Sequence, residues 1–335
     1  MNTTLTAVPG VKVGHAQNEE ALTGCTVIVC ESGATGGVDQ RGGAPGTRET
    51  DLLRPVHLVE NVHAILLTGG SAYGLDAAGG VMKYLEERRI GFNVGATVVP
   101  IVPAAVIFDL TLGRPDVRPD AAMGYAACIS ASTEPVVEGN VGVGTGATVG
   151  KILGLDQGMK AGVGAAALEI GAGVVVGALA VVNVFGDVID PATNQIIAGA
   201  RAGRDSIEPF ADTLRVMQAM IARSTPGFAA GSNTCLGVVA TNAQLNKEQA
   251  NKLAQMAQNG VARTVRPAHT LYDGDTIFAL ATGERPADIN IVGAFASEVM
   301  AQAVVRAVRM AKSAGGVPGL GSAPMLGGAP MLGGA

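Results

Sequence analysis

Glycine punctuates this chain from end to end without settling into a period: 48 of 335 residues, about twice the usual share of roughly 7%. Scattered among Ala and Val, it rules out a collagen-like repeat. It restricts the fold to one with many sharp turns and with backbones packed close together. Hydrophobic residues, at 48%, supply a sizeable core, and charged residues are only 15%. So little charge on so apolar a chain fits a protein with much buried surface, and a homo-oligomer is expected. The length suits one large domain or two ordinary ones.

Charge and aromatic content narrow the partners. Net charge is −5, Trp is absent and aromatics are 3%. No basic face interleaved with aromatics appears, which argues against nucleic acid. The longest apolar stretch, 161–185, is broken by Gly162, Gly164, Glu169, Gly171, Gly173 and Gly177. It reads as buried helix or strand pieces and not as a membrane span. The opening MNTTLTAVPGVKVGHAQ lacks the charged-then-apolar order of a secretory signal. Cys25, Cys30, Cys128 and Cys235 have neither metal-ligand spacing nor a disulfide pattern. A cytoplasmic, reduced chain is expected, without a metal site.

Strands and helices alternate along the chain. VHAILLT (62–68) predicts a strand, followed by a glycine turn and a helix with apolar positions Leu75, Ala78, Val81, Met82 and Leu85. Residues 96–110 read as extended, 119–131 as a helix opened by Pro119, and 141–151 as a glycine-rich loop. Residues 171–190 read as one long strand or two. Helices are expected over 207–224, 245–265 and 289–312, and strands over 235–240 and 275–283. STPGFAAGSN reads as an exposed linker. The fold class is therefore α/β or α+β with layered packing. The last residues repeat APMLGGA in overlapping register, so 313–335 are expected to be a low-complexity disordered tail behind one catalytic domain, 1–312.

Three familiar motifs almost fit. Gly142-Val143-Gly144-Thr145-Gly146-Ala147 matches the dinucleotide pattern, but no clear strand precedes it and no clear helix opens from it. Gly150-Lys151 resembles the end of a phosphate loop, but Ile152 stands where Ser or Thr is required. Gly69-Gly70-Ser71-Ala72-Tyr73 lies where a hydrolase nucleophile elbow would be, with Tyr73 in place of the second Gly. Other residues stand out singly. Lys151 follows a long uncharged glycine loop and reads as a solvated charge or as a charge entering a pocket. Asn183 sits inside the apolar run VVNVF, where a buried amide must find partners. Asp273-Gly274-Asp275 places two carboxylates on one lip, where they either cap a turn or share a proton. Gly231-Ser232-Asn233-Thr234 stands just before the apolar strand CLGVVA. Locally this is a turn.

Taken together, RGGAPGTRETDLL, LLTGGSAYGLDAAGGV, GATVGK, VVNVFGDVID, GSNTCLGVVATNAQLNKEQ and RPAHTLYDGDTIFALATG resemble a family over about residues 8–312. It is the self-cleaving L-aminopeptidase/D-esterase (β-aminopeptidase) family, with the closer likeness to its nylon-oligomer (6-aminohexanoate oligomer, endo-type) hydrolase branch. The chain departs from that branch at Cys235, where a second Thr is common. The resemblance implies a four-layer αββα sandwich and a precursor cut between Asn233 and Thr234 into an α chain, 1–233, and a β chain, 234–335. Thr234 would be the nucleophile and its freed α-amine the base. By the same likeness Lys151 would keep that amine neutral, and Asn183 would donate to the oxyanion. Tyr73 would line the same hole or pocket, and Asp273 and Asp275 would position the nucleophile or shuttle a proton. The implied activity is hydrolysis of linear amides, either short peptides or 6-aminohexanoate oligomers, without metal or organic cofactor. Oligomers of αβ pairs, such as a tetramer, are expected. An aminopeptidase or esterase acting on small N-terminal amides, a non-catalytic ligand-binding member and a Ser71 hydrolase are the rival readings.

Overall fold

The apolar runs that read as strands join one mixed sheet in the computed structural model, which describes residues 2–203, 206–223 and 233–322. Its strands are β1 (Lys12–Asn18), β2 (Thr23–Gln40), β3 (Thr47–Arg48), β4 (Asn61–Thr68), β5 (Ala104–Val106), β6 (Val163–Glu169), β7 (Val175–Asn183), β8 (Thr234–Ala243) and β9 (Thr276–Arg285). The order is β6-β7-β8-β9-β2-β4-β5-β3, with β1 paired to β2. β8 runs antiparallel to β7 and parallel to β9. The pairing of β2 with β4 breaks register between Val29 and Ala34. The first part of β2 therefore pairs with β1 and β4, and its last part with β9.

Side-chain alternation sorts this sheet into layers. Cys25, Val27 and Val29 of β2, with Ala64 and Leu66 of β4, pack beneath two helices, α1 (Ala77–Glu87) and α2 (Ala121–Ile129). Their alternates Ile28, Cys30, Ile65 and Leu67 face the larger core. That core also takes in β6–β9 and the long helices α4 (Lys247–Thr264) and α5 (Ile289–Arg309). On β8, a Cβ at Gly237 would stand 2.8 Å from Met300 Cε of α5. Odd positions of β8 thus face the helices, and Thr234, Leu236 and Val238 face inward. The result is the four-layer αββα sandwich: helices, two strand layers, helices.

Helix ends follow local chemistry. Asn246 and Gln249 form a reciprocal capping box on α4, and Asp120 and Asp288 cap α2 and α5. α2 thus starts after Asp120 and not at Pro119. The helix expected over 207–224 is shorter, α3 (Thr213–Ala222), because Asp212 caps it and Ile207 is fully exposed. Residues 96–110 form only β5 and a two-residue strand, Val98–Val99, and 171–190 split into β7 and a second strand, Asp187–Asp190. α5 is long and apolar enough to cross a membrane, but most of it is buried in the core. Residues 313–322 of the expected tail pack back on the body: Lys160 N–H donates to Pro318 O at 2.8 Å and Gly321 N–H to Ala311 O at 2.8 Å. The remainder of that tail, and 224–232 of the expected exposed linker, lie outside the described residues; the linker's last residue, Asn233, is buried.

Candidate active site

Thr234 opens β8 at 4% exposure, directly across the ladder from Asn183, the last residue of β7. Equal parity points both side chains into the space between the strand layers. Asn183 is fully buried and held on three sides. Its Nδ2 donates to Phe108 O at 3.0 Å. Its Oδ1 accepts from Thr148 N–H at 3.1 Å and from Lys151 Nζ at 2.8 Å. One Nδ2 proton is thereby used, and an amide carries two. Lys151 Nζ also donates to Asn183 O at 3.2 Å. The lysine is aimed by Gly150, whose left-handed φ of +69° and close approach to the Gly199–Ala200 backbone exclude a side chain there. Burial pulls the Lys151 pKa down to about 7, opposed by the charge of Asp273.

The segment before β9 supplies the carboxylates. Asp273 Oδ2 accepts from Thr270 N–H and Oγ1, both at 2.7 Å. Burial, and next the neighbouring Asp275, raise its carboxyl above the ordinary carboxylate value. Asp275 Oδ1 accepts from Cys235 N–H at 2.6 Å, and Oδ2 accepts from His269 N–H at 3.0 Å and lies 2.8 Å from His269 Nδ1. Asp275 therefore grips the backbone just after Thr234. Between the two aspartates, Gly274 N–H donates to Asn233 O at 2.8 Å. A Cβ at Gly274 would meet Thr234 Oγ1 at 2.8 Å and Ala44 O at 2.9 Å. The Thr234 hydroxyl in turn hydrogen-bonds the Asn233 carbonyl oxygen.

Five of the singled-out residues thus converge around one peptide bond: Thr234, Asn183, Lys151, Asp273 and Asp275. Tyr73 does not join them by a described hydrogen bond. It stands 62% exposed on a turn after β4, its ring 3.9 Å beneath the Arg118 guanidinium. Cys235 is fully buried in the core, and burial raises its thiol well above the ordinary value, which disfavours the reactive thiolate. Ser71 does lie at a strand-to-helix turn, but among the described residues its hydroxyl has no hydrogen bond to a histidine. The 142–147 loop is a buried 3-10 turn that leads into a two-residue strand and opens no helix. Sequence reading missed Gly274 and His269. The signal for both was the compact HTLYDGDT, in which a histidine and a glycine accompany the paired acids.

The Thr234 hydroxyl and the Gly274 N–H both donate to the Asn233 carbonyl oxygen, two donors that would stabilise negative charge developing there. Comparison with known proteins agrees in class. Residues 3–320 match peptidase family S58. The chain is 43% identical over 338 residues to an uncharacterized aminopeptidase of Mycobacterium tuberculosis, covering 94% of this chain and 96% of that one. It is 33% identical over 316 residues to a 6-aminohexanoate-oligomer endohydrolase of a Kocuria species, covering 90% and 84%. Its fold is similar to that of the L-aminopeptidase D-Ala-esterase/amidase of Ochrobactrum anthropi, described as a variant of the Ntn hydrolase fold. The TM-score is 0.69 at 21% identity, covering 94% of this chain and 88% of that one. The chain belongs to peptidase family S58. It is an amide-bond hydrolase.

Proposed function

We propose that the chain is a precursor that cuts itself between Asn233 and Thr234, and that Thr234 then serves as the nucleophile of an N-terminal-nucleophile amidase. The observation that carries this reading is the Thr234 hydroxyl lying against the Asn233 carbonyl, whose oxygen already accepts from Gly274 N–H. In maturation, Thr234 Oγ1 attacks the Asn233 carbonyl carbon. Negative charge develops on the oxygen that faces Gly274, the C–N bond breaks, and the Thr234 nitrogen takes a proton. Water then hydrolyses the resulting ester, leaving a carboxylate on Asn233 and a free amine and hydroxyl on Thr234.

The freed α-amine has a reference pKa of about 7.7–8.0, so near neutral pH it can take the proton of its own hydroxyl. Nucleophile and base then reside on one residue, and no Ser-His-Asp triad is needed. While charged, Lys151 disfavours a proton on that amine, and the second Nδ2 proton of Asn183 serves the oxyanion. The substrates are linear amides, short peptides or 6-aminohexanoate oligomers, and the working form is a homo-oligomer of αβ pairs.

Denatured intact mass tests the reading. The wild-type chain should yield two fragments, the second beginning Thr-Cys-Leu-Gly, and Thr234→Ala should remain one chain and hydrolyse neither substrate class. A Thr234→Ala protein that still separates into two chains and turns over amides would overturn it.

A further inference from the structure

Behind the partly buried Lys151 lies a fully buried lysine that no step of the mechanism uses. Lys160 is fully buried, one of the largest such side chains in the described core. It pairs with Thr148 in a short hairpin. Its Nζ donates to Thr145 O at 2.9 Å and to Ala147 O at 2.7 Å. No carboxylate lies within ion-pair distance of it among the described residues. Asp109, also buried, approaches the same stretch from elsewhere. A Cβ on Gly146, between the two gripped carbonyls, would stand 2.4 Å from Asp109 Oδ2. That carboxyl accepts from Thr23 Oγ1 and from Gly70 N–H, each at 2.7 Å.

These two residues adjoin the two backbone groups that hold Asn183. Ala147 precedes Thr148, whose N–H donates to Asn183 Oδ1, and Asp109 follows Phe108, whose carbonyl accepts from Asn183 Nδ2. Burying an ammonium is costly, and apolar replacements of buried ionic groups are often neutral or stabilising. Stability alone does not account for Lys160. We propose that Lys160 and Asp109 are positioning residues of the hydrolytic centre, bracing Thr145–Ala147 and thereby setting the Asn183 amide and its Lys151 partner against Thr234.

The inference rests on the reading of Thr234 as nucleophile. The groups that face Lys151 electrostatically are Asp273, Lys160 and Asp109, and those that face Lys160 are Asp109 and, reciprocally, Lys151. The charge of Lys160 is one of the influences that hold Lys151 low, secondary to burial. Removing it should let Lys151 keep its proton to higher pH.

Lys160→Met and the near-isosteric Asp109→Asn provide the test. In both, kcat should fall at least about tenfold with KM little changed, since misplaced catalytic groups lose rate before binding. Carbon-13 NMR of labelled lysine, with Lys151 assigned through Lys151→Arg, should show Lys151 in Lys160→Met titrating at higher pH than in wild type. Folded variants with wild-type kcat and an unmoved Lys151 titration would overturn the proposal and leave Lys160 as core filling. If Lys160→Met does not fold, the kcat and KM of Asp109→Asn decide alone. If the wild-type chain stays uncut and inactive, the reading of Thr234 has failed. The Lys151 titration then still decides whether Lys160 acts on Lys151, and an unmoved one overturns the inference on its own.

Discussion

At the scale of single residues, the site depends on atoms that do not react. Asp275 is held by His269 through both backbone N–H and ring, and His269 itself adopts a left-handed φ of +60°. Few residues accept that conformation, and Asn is one that does. The Asn side-chain amide also reaches about where the His Nδ1 lies. His269→Asn should therefore keep kcat within a few-fold of wild type. His269→Ala loses the side-chain donor and retains the strain, and should lower stability by about 1–3 kcal/mol and lower kcat as well. Urea unfolding and steady-state rates on the two variants check this, and an Ala variant equal to wild type would remove His269 from the site. Asn183 was legible in the sequence because a lone amide in VVNVF must find partners, and it has them. Lys160 was not legible: a single lysine between Met159 and Ala161 carries no local sign of burial, and its burial follows from the strand layers that close over it.

At the scale of elements, continuous apolar runs and amphipathic helices were readable even with a glycine inside them, and the strand that holds a cluster of turn-forming residues was not. β4, β9, α4 and α5 stand near their expected bounds. β2 was invisible because ESGATGG inside it reads as a turn, whereas the chain uses that stretch to change partners from β4 to β9. The sequence did signal that glycine would bring backbones together. Gly164 on β6 lies beneath α5, and a Cβ there would stand 2.1 Å from Ala303 O and 2.3 Å from Ala307 N. Backbone cannot yield as a flexible side chain can. Gly164→Ala should push α5 off the sheet and cost about 1–3 kcal/mol or more. Urea unfolding should show a lower midpoint, and an unchanged midpoint would mean that α5 shifts freely.

At the scale of the whole molecule, buried ionisable groups set how stability runs with pH. Burial holds Lys151 and Lys160 near 7, against 10.5 for a free lysine. Below pH 7 both the folded and the unfolded chain carry these protons, and the folded chain bears the full cost of buried charge. As pH climbs from 7 towards 10.5, the folded chain sheds protons that the unfolded chain keeps. Stability then rises, by up to about 1.4 kcal/mol per pH unit for each lysine. The thiols act with the opposite sign. Burial pushes Cys30 and Cys128 up to about 12 from 9.0, so above pH 9 the unfolded chain gains ionisation that the folded chain refuses. His15, pulled down to about 4 from 6.5, has made its contribution before pH 7. The unfolding free energy of the uncut Thr234→Ala chain should therefore increase from pH 7 to pH 9 and level or fall beyond. Urea titrations at pH 7, 8, 9 and 10 measure it, and adding Lys160→Met should remove about half of the rise. A flat or falling curve between pH 7 and 9 would mean that water reaches both ammonium groups in solution, and the brace behind Asn183 would lose its electrostatic part.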